Sequence, residues 1–232
     1  MKSQSKNKWF FFIILGILFR ISLPAAEKTL LYREKAGDSI IYHYYTISST
    51  EDGWIYNLKK KENNRTVTIV FILDSSLSTI KWTYDNPDKN IKFQGIRENG
   101  IIRFSGNEQN KSVEKTFEVG ALPWKQIFSI DMELFALSGE KEMEFWAVGA
   151  EGPGAKKIAK FSAKYQDRET VSVNGKSVEA IHIQCSLTGL KSMLWKGDYW
   201  FRVSDGLFVL YKGGRGPGTS DSITELIEEN NE

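Results

Sequence analysis

Glu169-Thr170-Val171-Ser172-Val173-Asn174-Gly175-Lys176-Ser177-Val178-Glu179-Ala180 is the stretch that decides the fold. Apolar and polar residues alternate on both sides of an Asn-Gly pair. That pair readily takes the positive φ of a two-residue turn, whose twist matches antiparallel strands. The stretch therefore predicts a hairpin. The same punctuation recurs at Asp52-Gly53, Asn99-Gly100 and Asp205-Gly206, each between strand-like runs. One such pair is weak evidence, whereas four at strand-length intervals predict an antiparallel β-protein.

Working outward, runs rich in Ile, Val, Tyr, Phe, Trp and Thr fill 28–34, 39–48, 54–60, 65–73, 78–84, 90–97, 100–105 and 112–118. After a gap they resume at 141–149, 156–165, 168–173, 176–186, 193–203, 206–212 and 222–229. Several are apolar on both faces for part of their length. Val67, Ile69, Phe71 and Leu73 share one face, but Val70 and Ile72 lie on the other. Leu207, Val209 and Tyr211 oppose Phe208 and Leu210. Two-faced strands predict a sheet curved around its contents or covered by a second layer. The fold expected is mainly β: a single strongly curved antiparallel sheet or incomplete barrel.

The gap has a different period. Trp124, Ile127, Phe128, Asp131, Leu134 and Phe135 fall near helical spacing, with one polar lapse at Asp131. Pro123 suits a first turn and Ser138-Gly139 a stop. This predicts one central helix of about a dozen residues over 124–137. Trp124, Ile127, Phe128 and Leu134 would be its contact residues as a plug or lid across the concave side.

Residues 1–26 read as a secretory signal peptide. Lys2, Lys6 and Lys8 precede an apolar run from Trp9 to Phe19, and Leu23-Pro24-Ala25-Ala26 follows. The run spans roughly 17 Å as helix, short of the roughly 30 Å of a bilayer core. Neither Leu23 nor Pro24 is small, so an uncleaved membrane anchor stays open as the alternative. The protein is expected to be exported, to the periplasm or beyond, with membrane contact only through such an anchor. Residues 27–229 are read as one β-rich domain, and the acidic tail as frayed, with 230–232 beyond the domain.

Charge excludes one class of partner. The precursor carries +2, but removing Lys2, Lys6, Lys8 and Arg20 leaves 27 bases against 29 acids, a net of −2. A nucleic-acid binder needs a basic surplus, so no nucleic acid is expected. Two histidines and one cysteine argue against a zinc site built on nitrogen and sulfur, and no metal or cofactor is expected. Cys185 alternates with Ile181 and Ile183, which predicts a small core residue, with His182 on the opposite face.

The motifs of catalysis are missing. Gly149 to Lys157 mimics a phosphate loop, but Ala155 displaces the lysine and Pro153 removes an N–H, so a turn is expected. Gly213 to Gly218 opens no long helix and reads as a loop, with Arg215 able to meet an anion. His43 and His182 lie inside strand-like runs and read as structural groups. Asp85 and Asp88 lack the spacing of a calcium loop. Glu140, Glu142 and Glu144 read as a solvated strand face, with Met143 and Phe145 opposite.

Aromatic residues are the unusual resource, at 13% of the chain. They serve either as core filling or as the wall of an apolar ligand site. Trp82, Tyr84, Trp146, Trp195 and Trp200 are the candidate ligand-binding residues.

From Trp146 to Leu226 the chain resembles a group of exported bacterial β-proteins known as a domain of unknown function. The resemblance rests on Glu169 to Ala180, Trp195, Tyr199-Trp200, Ser204-Asp205-Gly206-Leu207-Phe208-Val209-Leu210-Tyr211 and Glu225-Leu226. Those proteins are similar in architecture to the lipoprotein-localisation carriers. The resemblance implies an incomplete barrel with helices across its concave face, and carries over no binding residue. The leading expectation is thus a non-enzymatic exported protein binding a lipid, acyl chain or lipoprotein segment in that concavity. The alternatives are a structural or interaction module of the cell envelope with a filled core, and a carboxylate-dependent hydrolase.

Overall fold

The computed structural model describes residues 27–149, 157–215 and 219–231. Residues 1–26, expected to be a signal peptide, residues 150–156 of the Gly149–Lys157 segment and residues 216–218 of the Gly213–Gly218 segment lie outside the described residues.

Among the described residues, fourteen strands form one antiparallel sheet that does not close into a barrel. They are β1 (Glu27–Ala36), β2 (Ser39–Ser49), β3 (Gly53–Glu62), β4 (Arg65–Asp74), β5 (Thr79–Asn86), β6 (Ile91–Glu98), β7 (Ile101–Glu108) and β8 (Lys111–Glu118). A helical segment follows, α1 (Phe128–Asp131) and α2 (Glu133–Ser138). Then come β9 (Glu142–Val148), β10 (Ile158–Val173), β11 (Lys176–Leu187), β12 (Lys196–Arg202), β13 (Phe208–Gly214) and β14 (Asp221–Asn231). Each half is a meander, and β1 pairs with β14 to join the halves. The spatial order runs from β8 through β1 and β14 to β9.

Alternation sets the faces, because successive side chains of a strand point to opposite sides. Ile41, His43, Tyr45 and Ile47 of β2 are buried, while Tyr42 and Tyr44 are exposed. Ile181, Ile183 and Cys185 are buried in β11, as expected, with His182 facing away. Glu142 and Glu144 are exposed and Phe145 is buried, also as expected. The turns at Asn99-Gly100 and Asn174-Gly175 have positive φ at both residues, the conformation that first suggested hairpins.

Three expectations need correction. The break expected at residues 166–167 does not exist: β10 runs through it, absorbing the irregularity as a bulge between Tyr165 and Arg168. The tail does not fray at Glu225. It is β14, paired with β1 out to Asn231. Its acids find bases on other strands, Glu225 with Arg33 at 2.5 Å and Glu229 with Lys28 at 2.8 Å and Arg202 at 2.9 Å. Local sequence cannot show such pairing.

The third correction is the helix. It starts at Phe128, is broken at Met132 and is shorter than a dozen residues. Pro123 to Gln126 is extended because its polar groups serve the sheet. The Trp124 carbonyl accepts from Thr79 N–H at 2.8 Å, and the Lys125 N–H donates to the Trp146 carbonyl at 2.9 Å. The Gln126 side chain bonds both the N–H and the carbonyl of Val148, at 3.0 and 2.7 Å. This strap occupies the free edge of β9, which would otherwise be open to pairing with another chain. The opposite edge, β8, is guarded by Lys111, Glu114, Lys115 and Glu118 instead.

One apolar cluster fills the concave side and draws on both halves of the sheet and on the helical segment. A second, smaller cluster lies on the other face, where Val173, Ala180, Trp200, Val209 and Leu210 pack together. The tip of the β10–β11 hairpin leans on β14 there, with Asn174 N–H donating to Glu225 at 2.8 Å. This second layer accounts for the two-faced apolar pattern of β13.

Candidate functional site

Facing strands of the first half bring Trp82, Phe93 and Phe104 together, with ring centroids 5.8 Å and 4.9 Å apart along the chain of contacts. Trp82 and Tyr84 are fully buried there. In the second half Phe128 enters from α1 and meets Phe145, Phe161, Trp195 and Tyr199 at 5.0–6.2 Å. Trp146 packs against this core and donates its indole N–H to the Val119 carbonyl at 3.1 Å, while Trp195 donates to Gly214 at 2.6 Å. Both indoles lie where the apolar interior meets backbone polar groups.

The structure thus places Trp82, Tyr84, Trp146 and Trp195 against one core. Trp200 stands on the opposite face, stacked on His182 with centroids 4.6 Å apart. Of the expected lid residues, Phe128 sits at the hub of the aromatic contacts and Ile127 is buried before the helix begins. Trp124 belongs to the strap. It is wholly buried over Gly95, where an added Cβ would lie 2.8 Å from its ring. Leu134 is 46% exposed and faces outward. Its helical spacing from Phe128 was counted through a break, so the face does not carry over.

Sequence reasoning missed the polar layer under the helical segment. Asp131 is buried, one carboxylate oxygen accepting from Ile127 N–H at 2.8 Å and the other without a hydrogen-bond partner. Burial pushes its carboxyl up, against the field of Lys125. The Lys125 ammonium is itself buried, bonded to the Ser76 and Leu77 carbonyls at 3.0 and 2.8 Å, and desolvation pushes it down. Glu133 keeps some surface in solvent, but its carboxyl end is enclosed. Burial raises it to about 8, although Phe208 N–H bonds it. The hydroxyls of Tyr32, Tyr45 and Tyr56 lie within its field, and burial raises all three. The one polar lapse in the helical pattern, Asp131, was the available signal.

Beyond the cover, Glu34 occupies an inward position of β1, after Leu30 and Tyr32. It accepts from His43 at 2.9 Å and from Arg215 at 2.5 Å. The anion expected for Arg215 is therefore this internal carboxylate. Burial opposes the Glu34 charge, but these bonds and Lys60 hold its carboxyl down at about 2. Burial lowers His43 to about 4, so at neutral pH it is an uncharged donor.

On the outer face His182 is bonded to Asp198 at 2.8 Å and lies 3.6 Å from Asp167 and 3.9 Å from Glu169. Among the described residues, Asp167, Glu169 and His182 group closely enough to share a cation. The bulge in β10 sets Asp167 beside the histidine. Glu169 also accepts the Trp200 indole N–H at 2.7 Å. A carboxylate hydrolase would need its raised acids in an open cleft. Asp131 and Glu133 are raised but lie under the cover. Two depressions open to solvent, of about 310 and 220 Å³, are lined by Thr79, Ile80 and Arg97 and by Leu31, Tyr44 and Glu228 among others.

No family model matches the chain, and no curated protein matches it. Solved structures do. A β-barrel-like protein of the domain of unknown function DUF1849 from Brucella abortus matches with a TM-score of 0.57 at 9% identity, over 90% of this chain and 98% of that one. The fold is shared. The hypothetical lipoprotein YmcC from Escherichia coli matches with a TM-score of 0.40 at 12% identity, over 89% of this chain and 85% of that one. A LolA superfamily protein from Nitrosomonas europaea matches with a TM-score of 0.26 at 10% identity, over 91% of this chain and 87% of that one. The expected likeness to β-rich proteins of unknown function is thus found.

Proposed function

We propose that the protein is an exported, non-enzymatic carrier. It takes a lipid, acyl chain or acylated lipoprotein segment against the concave face of its sheet, with α1 and α2 as the displaceable cover. The observation that carries this reading is the cover itself. It packs Phe128, Ile130 and Phe135 into the apolar cluster against the sheet, yet brings Asp131 and Glu133 into that interior. Burying an acid without full hydrogen bonding costs free energy, and displacement returns that group to water. An apolar chain could then replace the cover's aromatic contacts without that cost.

The test is extraction of the purified protein with organic solvent, together with a fatty-acid titration followed by tryptophan fluorescence. Co-purifying lipid, and a fluorescence change larger at pH 8 than at pH 5, is the expected result. The pH sign follows from the raised acids, which oppose the covered state more as they are driven to ionise. Silence in both measurements removes the carrier reading.

One observation favours a second reading. Among the described residues the concave side is filled by a continuous buried cluster. An envelope interaction module with a solid core needs nothing more, and predicts a persistent partner in cross-linking pull-downs and no lipid.

A further inference from the structure

Between β11 and β12 the chain makes a short 3-10 turn, Gly189–Met193, that buries none of its residues. Leu190, Met193 and Leu194 are 98%, 90% and 62% exposed. Both feet of this finger are tied down. Thr188 bonds the Lys160 carbonyl through its N–H and its hydroxyl, at 3.1 and 3.2 Å, and the Trp195 indole is held by Gly214. The apolar side chains therefore project from an ordered base.

Charge surrounds the finger. Lys191 lies within it and Lys196 follows it. Register places Lys212 and Lys35 at the same end of the neighbouring strands, with Lys35 between the exposed Ile40 and Ile223. Asp38 and Asp221 are exposed acids at this end. Separately projecting apolar side chains interleaved with lysine, above a tryptophan, suit a soft anionic surface. A protein partner would instead need a broad complementary patch.

We infer that the turn Gly189–Met193 docks the protein onto an anionic lipid bilayer, with Leu190, Met193 and Leu194 entering the acyl boundary and Lys191 and Lys196 meeting headgroup phosphates. This goes beyond the carrier reading and does not depend on it. The cover rests at the far end of β12, where Leu137 meets Gly206.

The test uses the full chain with Ser192→Cys labelled by an environment-sensitive dye, the native Cys185 being buried and unreactive. The local dye keeps any binding by the apolar N-terminal run out of the signal. Vesicles are phosphatidylcholine with or without phosphatidylglycerol. The expected result is a blue shift with phosphatidylglycerol only, and none from a dye placed at Glu114. Changing Leu190, Met193 and Leu194 together to serine should weaken it by more than about a hundredfold. Lys191→Glu should weaken it by at least about fivefold, since each lysine near such a surface contributes about that factor. No shift with either vesicle overturns the inference. So does an equal shift with both, or a shift that appears without vesicles as the chain self-associates. Lipid extraction from the core reads the carrier function separately, so the two fail independently.

Discussion

Glu34 of β1 and Glu133 of α2 are both enclosed carboxylates, and they are held in opposite states. Glu34 has a donor on each oxygen, one from His43 and one from Arg215, and ionises despite burial. Glu133 has a backbone N–H and little else, and burial keeps it protonated to about pH 8. Hydrogen bonding, helped by the nearby positive charge of Lys60, separates them more than depth does. The lesson is mechanical. The β1–β2 region is clamped by its charge, while the helical segment is loosened by the acids it buries. On the proposed carrier reading, the clamp belongs to the wall and the loosened element to its cover.

The largest expected effect comes from breaking the clamp. Glu34→Leu leaves His43 and Arg215 without their acceptor, and should cost about 3 kcal/mol in urea unfolding at pH 7, near the low end for a broken buried pair because Arg215 is half exposed. In the native protein the clamp is acid-sensitive. The folded pKa of His43, about 4, lies below its usual 6.5, so stability falls as pH drops through that window. Glu34, at about 2, extends the loss from pH 4.5 downward. Equal stability of wild type and variant at pH 7 would show that Glu34 is no clamp.

The cover should respond in the reverse direction and by less. A carboxyl raised to about 8 holds its proton in the folded state while the unfolded chain gives it up near pH 4.5. Stability of the cover therefore falls as pH rises between those values. Glu133→Gln should reduce this slope to the part that the buried Asp131 contributes, and stabilise the protein by about 2 kcal/mol at pH 8, discounted for the residue's partial exposure. Amide exchange across Ile130–Ala136 measures it. A wild-type cover equally protected at pH 5 and pH 8 would end the distinction from the wall.

Much of the wall was legible. Asn99-Gly100 and Asn174-Gly175 announce turns because so few residues tolerate two successive positive φ values. Runs such as Ile181-His182-Ile183-Gln184-Cys185 carry the strand period openly. The cover was less legible, because Trp124 and Ile127 are apolar for a reason unrelated to helix period. Trp124 is buried in an extended strap whose backbone bonds Thr79 and Trp146, partners far away in the chain, and Ile127 is buried just before the helix starts. Trp200 packs on the outer face, and two-faced burial in β12 and β13 hides from the sequence which side is concave. Glu34 had a signal, a charge at an inward position of an alternating strand. Its partners, 9 and 181 residues away, had none.

His182 gives the smallest effect and sharpens the rule. It shares a partner type with His43, a carboxylate on Nε2, but it stands partly in solvent. Partial burial works against its charge, yet the bond to Asp198 and the fields of Asp167 and Glu169 outweigh that, and its pKa is raised. The sign is thus opposite to that of His43. The stabilisation from His182 is fully present below pH 6.5 and is lost as pH climbs through the raised folded value. Solvent screening keeps it under about 1 kcal/mol. An NMR titration should place the His182 midpoint above 6.5, and Asp198→Asn should bring it down. If both histidines instead titrated below 6.5, the carboxylate on Nε2 would matter less than enclosure, and the contrast between wall and cover would need another cause than hydrogen bonding.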